Sequence, residues 1–351
     1  MTDGDAKPLS KPKPRRPGRA VTIEDVARVA GVSKGTVSRV LNGHDWVSPK
    51  TRQAVVEAMA STGFVASASA RSLATSRTGN IAFVLGAPPV RLFEDPNYAV
   101  LLQVITEELA ELDYALMLLT ASTQAERARV ARFVREGHVD GVILVLVGDA
   151  GTEELISLLR GNRMPAIACG HPFVGEDPLP FVAADDTPGV RQLARHFLAR
   201  GYRSTAVIAS HLETSGAKSR VAAFAGEAPG LVRDDLVIEA HEYSRAAGKN
   251  AMRTLLAARP GIDSVFAASD LLAAGAMDAL HKADIAVPGQ IAVAGFDDST
   301  IAQQTDPQLT TVRQSVADVA RQMVAQLRIG LDGGAMASVS VPTQLVIRES
   351  A

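Results

Sequence analysis

The sequence predicts an α/β protein with an N-terminal all-α helix-turn-helix head, residues 21–65, and a body, residues 80–351, of two subdomains with parallel sheets. Two patterns predict this fold class. In the head, apolar residues recur at helical spacing on either side of a tight glycine turn. In the body, short apolar runs rich in β-branched residues alternate with amphipathic helical stretches, which is typical of parallel sheets covered on both faces.

The charge of the chain is distributed unevenly. Residues 1–80 hold 13 Lys/Arg and 6 Asp/Glu, a balance of +7, and because the whole chain carries −2, the remainder carries −9. This asymmetry indicates that the N-terminal part meets a polyanion and that the body does not. A basic tail that only aids solubility is the alternative. Residues 1–20 are rich in Pro, Lys and Arg and lack apolar periodicity, so we expect them to be disordered.

Composition argues against several classes of protein. With 351 residues, 47% of them hydrophobic and 21% charged, the chain can bury a sizeable core. Its one cysteine, Cys169, allows no internal disulfide and no cysteine-based metal cluster, and neither a metal nor a cofactor is predicted. No apolar run reaches the roughly 18–20 residues of a membrane span, and the basic N-terminus does not resemble a secretory signal. We therefore expect a cytoplasmic protein with no membrane partner.

Capping signals place three helices in the head. Thr22 precedes the first helix, with an acidic residue three positions later as a near capping box, and Gly31 ends it. Ser33 caps the second helix, and Ser48 caps a third helix over residues 49–62 that begins with a proline. The residues expected to point inward are Ile23, Val26, Ala27 and Ala30, then Val37, Val40 and Leu41, then Val55, Val56, Met59 and Ala60.

The outward side of the second helix has the chemistry to enter a DNA major groove. Lys34 and Arg39 can bind guanine edges or phosphates, and small neighbouring residues permit close approach. Ser33 and Thr36 place hydroxyl groups at the helix N-terminus, where phosphate binds readily. A purely structural three-helix bundle has similar spacing, so the pattern alone leaves both interpretations open.

The stretches VTIEDVARVAGVSKGTVSRVLNG and VSPKTRQAVVEAM narrow this choice. They closely resemble the head of the lactose-repressor/galactose-repressor (LacI/GalR) family of bacterial transcriptional regulators, whose motif reads T-x-x-D-V-A-x-x-A-G-V-S and then x-x-T-V-S-R-V-L-N. The resemblance implies that Lys34, Gly35 and Arg39 occupy base-reading positions, although Gly35 has no side chain with which to read a base. It also implies that the following residues hold the DNA backbone: Thr22, Ser33, Thr36, Ser38, Asn42, Ser48 and Thr51.

The segment FVASASARSLATSRTGN joins head and body, and residues 66–79 are expected to form a hinge. In the family this segment is usually Y-x-P-N-x-x-A-R-x-L, a short helix that folds on DNA and wedges a leucine into the minor groove. The resemblance implies minor-groove roles for Ala70, Arg71 and Leu73. Ala66 and Ser67 replace the usual Pro-Asn pair, and Ser67 can still cap the helix. A plain flexible linker is the alternative.

The apolar runs of the body predict its strands. They cover residues 81–85, 115–119, 141–147, 165–169, 205–209, 264–268 and 291–296, and the helical stretches between them include 97–112, 124–136, 187–200, 246–258 and 271–283. So many strand–helix units exceed one open sheet, and the segment GEDPLPFVAADD near residue 180 marks a break between two similar halves. Ligands in such folds bind beyond the carboxyl ends of the strands, so two facing halves predict a cleft that closes around a solute.

The body also resembles the family's effector domain, which shares its fold with periplasmic sugar-binding proteins. The segments LFEDPNYAVLLQVITEEL, VAADDTPGVRQLARHFLARGYR, FAASDLLAAGAMDAL and VPGQIAVAGFDDSTIAQQTDPQLTTVRQ carry the resemblance. Together with the head it covers about residues 20–350. It implies an N-subdomain of about residues 80–180 and 314–342 and a C-subdomain of about residues 181–313 and 343–351.

Polar residues that follow the predicted strands are candidates for the cleft. Asp297 ends the strand IAVAGF, where a carboxylate can accept paired hydrogen bonds from hydroxyl groups, whereas Asp298 is expected to be structural and Asp270 to cap a helix. In the segment GAKSRVAAF, it stays open whether Lys218 or Arg220 faces the ligand. The effector-binding set that the resemblance implies is Phe93, Asp95, Tyr98, Lys218, Arg220, Tyr243, Ser269 and Asp297. Each of these residues can alternatively be a satisfied polar or aromatic group of a loop.

These features predict a sequence-specific DNA-binding transcriptional regulator. By resemblance it is a repressor that binds a pseudo-palindromic double-stranded operator as a homodimer, with its affinity controlled by a small-molecule effector, a sugar or sugar derivative, bound between the subdomains. An effector-dependent activator, a nucleoside or other polar effector, and a solute-binding protein of the periplasmic type are the alternatives. An enzyme is not predicted, because the sequence has no phosphate loop, glycine-rich dinucleotide turn or HExxH pattern.

Overall fold

The computed structural model describes residues 21–41, 46–64, 77–145, 153–170, 179–212, 214–258 and 261–351. The chain divides into two compact units, Met1–Thr78, which contains the head, and Gly79–Ala351, which contains the body.

The described residues of the head form the helices α1 (Ile23–Ala30), α2 (Lys34–Leu41) and α3 (Pro49–Thr62). The Asp25 carboxylate accepts hydrogen bonds from the backbone N–H and the hydroxyl of Thr22, at 3.0 and 2.9 Å, which fixes the start of α1. Gly31 ends α1 with a φ of 67°, a left-handed conformation that glycine adopts without strain. The three helices meet through Val26, Val37 and Val55, one from each, all fully buried. A small apolar core therefore holds the head together.

The inward face of α3 differs from the expectation. Val56 is 50% exposed and Ala60 is also exposed, whereas Ala58 is buried beside Val55. The reason is helical periodicity, since residues three and four apart share a face and Val56 lies about 100° around the helix from Val55.

The body alternates strands and helices. The strands are β1 (Asn80–Leu85), β2 (Ala115–Thr120), β3 (Gly141–Val145), β4 (Ala166–Cys169), β5 (Phe181–Asp185), β6 (Thr205–Ser210), β7 (Val237–Ala240), β8 (Ser264–Ala267), β9 (Ala292–Asp297), β10 (Thr310–Arg313), β11 (Val339–Pro342) and β12 (Gln344–Val346). The helices are α4 (Arg91–Glu94), α5 (Pro96–Glu111), α6 (Gln124–Arg135), α7 (Glu153–Gly161), α8 (Asp186–Arg200), α9 (Ser215–Glu227), α10 (Arg245–Ala258), α11 (Asp270–Lys282), α12 (Thr300–Gln304) and α13 (Val316–Leu331), with one 3-10 turn at Asp234–Leu236.

The strands form two sheets, and the predicted α/β architecture with two subdomains is confirmed. The first sheet has the order β11-β5-β4-β3-β1-β2 and its pairs are parallel. The second has the order β12-β10-β9-β8-β6-β7 and is parallel except for β10 and β12, which pair antiparallel. Alternate residues of β1 enter the cores on opposite faces of its sheet, with Phe83 on one side and Val84 on the other. Both faces are therefore buried, as the continuous apolar runs predicted.

The first half ends later than the break expected near residue 180. Phe181–Asp185 is strand β5, which pairs with β4 and β11 in the first sheet, so the expected boundary between residues 180 and 181 is wrong by about five residues. Glycine, proline and acidic residues around this strand resemble a linker, but its Phe-Val-Ala-Ala core pairs in the sheet. The chain then passes into the second subdomain through α8, returns after β10 through α13, and crosses again between β11 and β12.

Close packing fixes these crossings. The Thr343 hydroxyl donates to the carbonyl of Asp185 at 2.7 Å and accepts from the N–H of Gly189 at 3.1 Å. A Cβ at Gly189 would lie 2.4 Å from the Val312 side chain, so only glycine lets α8 approach the crossing strands this closely.

Candidate functional site

The exposed side of α2 is the candidate DNA-binding surface. Val37 and Val40 turn into the head core, whereas Lys34, Gly35 and Arg39 are exposed. The three residues expected to read bases are therefore all accessible to solvent on α2.

Lys34 is already paired on this surface. Its Nζ lies 2.5 Å from Oε1 of Glu24 on α1, and both side chains are more than half exposed. The hydrogen bond from Lys34 is the largest cause that lowers the pKa of Glu24 below its usual range. Lys34 has to exchange this carboxylate for any phosphate or base that it contacts.

Arg39 contacts an aromatic side chain that the sequence analysis did not single out. Its guanidinium carbon lies 4.5 Å from the ring centre of Trp46, and the Trp46 side chain is 67% exposed. The sequence could have pointed to this residue, because Trp46 is the only tryptophan of the chain and lies in the short segment between α2 and α3.

The hydroxyl residues expected at the DNA backbone cluster at two helix N-termini. The Ser33 Oγ accepts from the N–H of Thr36 at 3.1 Å, and the Ser48 Oγ accepts from the N–H of Thr51 at 3.2 Å, so both serines act as caps. Thr22 is engaged with Asp25 at the start of α1, and Ser38 is half-buried. The predicted contacts Asn42, Ala70, Arg71 and Leu73 lie outside the described residues.

The body holds a cavity of about 260 Å³ at the carboxyl ends of its strands. Its lining consists of Asp95, Asn97, Tyr98, Leu101, Val145, Cys169, Arg220, Tyr243, Ser269, Asp297, Gln314, Val316 and Val319. Six of the eight expected effector residues are among them. The exceptions are Phe93, which is 88% exposed on α4, and Lys218, which is exposed on α9. The structure thus brings Arg220 and not Lys218 to the cavity.

Asp297 ends β9 in an unusual conformation, with a φ of 121°. Its Oδ1 accepts a hydrogen bond from Nε2 of Gln314 at 2.5 Å. Burial, with further repulsion from Asp270 and Asp95, holds the pKa of Asp297 well above its usual value, and Arg220 opposes this shift. Asp297 is half-buried and lines the cavity, where its carboxyl group can interact with hydroxyl groups with little competition from bulk water.

Arg220 is the cation among the described residues that line the cavity, and it is held from three sides. Its Nε lies 3.1 Å from Oδ2 of Asp186, and its NH1 donates to the Ala268 carbonyl at 2.8 Å. Its guanidinium carbon lies 3.6 Å from the ring centre of Phe296. Burial opposes the charged form, but Asp186, Tyr243 and Asp297 together raise the pKa of Arg220. The guanidinium is therefore a fixed, permanently charged donor.

The hydrogen bonds beside the cavity include one that joins the two subdomains. The Tyr243 hydroxyl donates to the Ser210 carbonyl at 3.0 Å, and the Tyr243 carbonyl accepts a hydrogen bond from Arg91 of α4. Arg91 also lies 3.3 Å from Oδ2 of Asp95, whose Oδ1 caps α5 by accepting from Asn97. Arg91 therefore joins the first subdomain to the loop that carries Tyr243.

The expectation that Asp270 caps α11 is wrong. Ser269 is the cap, and its Oγ accepts from the N–H of Leu272 at 3.2 Å. The Asp270 carboxylate accepts from the N–H of Ser299 at 2.7 Å and the hydroxyl of Thr311 at 2.6 Å. It joins α11 to β10 because, as the first residue inside the helix, it points into the core. Burial raises its pKa to about 7.

Asp298 is engaged in ion pairs, 2.6 Å from Nε of Arg313 and 2.5 Å from NH2 of Arg348, in line with its expected structural role.

The opposite wall of the cavity is apolar, formed by Tyr98, Leu101, Val145, Val316 and Val319. The sequence analysis assigned Tyr98 to the site but not the aliphatic residues Leu101, Val145, Val316 and Val319, because their pattern is that of ordinary core positions. A cavity with one apolar wall and one polar wall suits a small amphipathic ring.

Two further features bear on the kind of site. In the ranges that the structure describes, no cluster of three or more His, Cys, Asp or Glu side chains is arranged to hold a metal ion. No helix among those residues is both long and apolar enough to cross a membrane.

Comparisons with known proteins match both parts of the chain. A family profile described as bacterial regulatory proteins, lacI family, matches residues 22–67, and a periplasmic binding protein-like domain profile matches residues 194–351. The chain is 34% identical over 337 residues to the HTH-type transcriptional regulator CelR of Thermobifida fusca, covering 95% of this chain and 98% of CelR. It is 30% identical over 314 residues to the regulator GalR of Escherichia coli, covering 88% and 89% of the two chains.

Solved structures give the same picture. A CelR–cellobiose complex superposes with a TM-score of 0.73 at 33% identity, covering 94% of this chain and all of that chain. A lac repressor dimer bound to operator and an anti-inducer superposes with a TM-score of 0.81 at 24% identity, covering 95% of this chain and 99% of that chain, which supports the fold alone.

Proposed function

The chain belongs to the lacI family of bacterial regulatory proteins, and from this we infer that it represses transcription by binding operator DNA through α2, under the control of a small neutral sugar in the body cavity. It is a helix-turn-helix transcriptional regulator with a ligand-binding body. The observation that carries the proposal is the exposed surface of Lys34, Gly35 and Arg39 on α2, in a chain whose body holds a cavity at the strand ends.

The chemistry of α2 supports base reading in the major groove. The planar guanidinium of Arg39 can donate two hydrogen bonds to one guanine, a contact that discriminates by about 1–3 kcal/mol. Gly35 has no side chain that would keep α2 away from the bases. Ser33 and Ser48 cap the N-termini of α2 and α3, and the backbone N–H groups of a helix N-terminus form a favourable site for phosphate.

We propose that two copies bind one pseudo-palindromic operator. The lac repressor, which shares this fold, is a dimer on its operator. A two-fold symmetric pair of heads matches a site with two half-sites, so symmetry in the protein predicts symmetry in the DNA. The hinge roles of Ala70, Arg71 and Leu73 remain predictions from the sequence, since these residues lie outside the described ranges.

The cavity favours an uncharged ligand with several hydroxyl groups. The raised pKa of Asp297 reflects surroundings that disfavour negative charge, which a phosphate would add, and the guanidinium of Arg220 is already paired with Asp186. The volume of about 260 Å³ lies just below the range of drug-sized pockets, which suits a sugar of one or two rings. The relative CelR forms a complex with cellobiose, a neutral sugar. We therefore propose a neutral sugar ahead of a sugar phosphate.

The other functional classes fit less well. The curated relatives are transcriptional regulators, and we propose that the cavity binds its ligand without turnover. Because the target is operator DNA, the protein is proposed to act in the bacterial cytoplasm. The position of the operator relative to the promoter decides between repression and activation, and we propose repression.

The first experiment selects DNA sequences with the full-length protein and measures their affinities. We expect a palindrome, and we expect Arg39→Ala to flatten the preference at one guanine per half-site. Arg39→Lys is the matched variant, since it keeps the charge and loses the bidentate fork. Selection that returns no preferred sequence would contradict the proposal.

The second experiment screens neutral sugars and sugar phosphates by thermal shift and then tests operator release. Asp297→Asn should abolish the response to the ligand and leave operator affinity intact, whereas Asp284→Asn, the same change at an exposed site outside the cavity, should respond normally. A ligand that binds only when phosphorylated would overturn the neutral-sugar assignment.

A further inference from the structure

Trp46 lies at the edge of the surface that α2 presents, and its role is not explained by packing. Its neighbour Val47 packs against the head core, and Ser48 caps α3, so the backbone on this side is anchored. The indole itself remains 67% exposed. A large apolar ring that folding does not bury is a candidate for recognition.

The contact between Trp46 and Arg39 has the geometry of a cation–π pair. The guanidinium carbon lies 4.5 Å from the ring centre, inside the roughly 6 Å within which such attraction operates. Among residues 21–41 and 46–64, no carboxylate lies within ion-pair distance of Arg39. In this part of the head, the indole is therefore what orients the guanidinium.

We propose that Trp46 is a specificity-determining residue that positions Arg39 for base recognition. This rests on the proposed function, in which Arg39 reads a base from α2. A guanidinium that lies against an aromatic ring uses its planar face in that contact, and its N–H edge remains available for the two acceptors of a guanine. The ring restricts the rotamers of the long Arg39 side chain before DNA arrives, so less conformational entropy is lost on binding.

The size of the effect follows from the strength of exposed cation–π pairs. Such a pair shifts an equilibrium by about two- to fivefold, so each head should lose about that factor when the ring is removed. The loss should be confined to the base that Arg39 reads. Other operator positions and nonspecific DNA do not require the guanidinium to be oriented.

The test uses the full-length protein on its selected operator and on operators changed one base pair at a time. Trp46→Leu keeps apolar bulk without the aromatic face, and Trp46→Phe keeps a ring. We expect Trp46→Leu to weaken preference at the Arg39 position by about two- to fivefold per head, and Trp46→Phe to retain most of it. In an Arg39→Ala background, Trp46→Leu should have no further effect, because the residue acts through Arg39.

The controls separate positioning from folding and from direct contact. Val56→Ala removes another half-exposed apolar side chain of the head and should leave the preference unchanged. A uniform loss on all duplexes with Trp46→Leu, or a loss that persists in the Arg39→Ala background, would mean that Trp46 contacts DNA or stabilises the head, and the proposal would be wrong. If Arg39→Ala flattens the preference and Trp46→Leu does not, this inference fails while the proposed function stands. If neither variant nor the selection reveals any preference, both fail together.

Discussion

Replacing Arg220 with alanine is expected to destabilise the body by about 3–5 kcal/mol and to abolish its response to ligand. Arg220 contacts structural groups and the cavity at the same time, so one substitution perturbs both. The effect on stability can be separated from the effect on ligand binding, because the structural partners of the guanidinium, Asp186 and the Ala268 carbonyl, do not line the cavity.

The magnitude follows from what the substitution leaves behind. Asp186 has a side chain only 8% exposed, and Arg220 is its partner at 3.1 Å. Removing one partner of a buried pair costs about 3–5 kcal/mol, because the remaining charge stays desolvated and uncompensated. The Ala268 carbonyl also loses a donor and the Phe296 ring loses its covering cation. For a body of this size, such a loss lowers the melting temperature by ~10 °C.

The chain offers separate spectroscopic signals for its two parts. The four tyrosines, Tyr98, Tyr114, Tyr202 and Tyr243, all lie in the body, and the single tryptophan, Trp46, lies in the head. Near-ultraviolet circular dichroism of the tyrosines should report earlier unfolding of the body in the full-length variant. Tryptophan fluorescence should report an unchanged head.

A double variant separates stability from ligand binding. Arg220→Met with Asp186→Asn removes both charges of the buried pair, so neither charge is left uncompensated. We expect its melting temperature to return to within a few degrees of the parent, while the ligand response stays absent. Unchanged stability in Arg220→Ala would refute the buried-pair reasoning, and a restored ligand response in the double variant would remove Arg220 from the binding site.

Three further predictions concern charge and protonation. Glu24→Gln should release Lys34 for phosphate contact and steepen the salt dependence of nonspecific DNA binding by about 0.9 per head; an unchanged slope would place Lys34 away from phosphates. Burial raises the pKa of the Cys169 thiol to about 11, so alkylation by iodoacetamide should be slow at pH 7.5 and accelerate towards pH 11. Cys169 lines the cavity, so bound ligand should slow the reaction further. Rapid alkylation at neutral pH would contradict the raised pKa. Burial raises the pKa of Asp270 to about 7, above its value in the unfolded chain. Its contribution to the free energy of unfolding should therefore be complete below pH 4 and be lost as pH rises through 7. If Asp270→Asn leaves the dependence of stability on pH unchanged, this reasoning is wrong.

The head was predictable because its signals are local. Helix caps such as Thr22 and Ser48, and the left-handed Gly31, act within a few residues, and the structure places the helix boundaries where these residues predict them. Trp46 was missed for the opposite reason. Its partner Arg39 lies seven residues earlier across a helix end, and no periodicity marks that contact.

Three features of the body could not be predicted from its sequence pattern. Strand β5 was taken for a break because turn-forming residues surround it, and only its pairing with β4 and β11 identifies it as a strand. Lys218 and Arg220 are two residues apart on α9 and so point in different directions, which the sequence could not rank. The aliphatic wall of Leu101, Val145 and Val319 comes from distant elements whose residues all have the pattern of core positions.

The origin of the lining residues explains how a ligand can alter the behaviour of the body. Asp95, Tyr98 and Cys169 belong to the side of the first sheet, whereas Arg220 and Asp297 belong to that of the second. A ligand that contacts both sides binds best to the arrangement in which both fit it, so it changes the balance between arrangements of the two subdomains. The free energy of this shift cannot exceed the difference between the ligand's affinities for the two arrangements. By reciprocity, the ligand changes operator affinity by the same free energy by which the operator changes ligand affinity, about 1–3 kcal/mol in typical cases. The Arg91 contact with the Tyr243 carbonyl joins the same two sides without ligand, so weakening it in Arg91→Ala should change the ligand affinity even though Arg91 does not line the cavity.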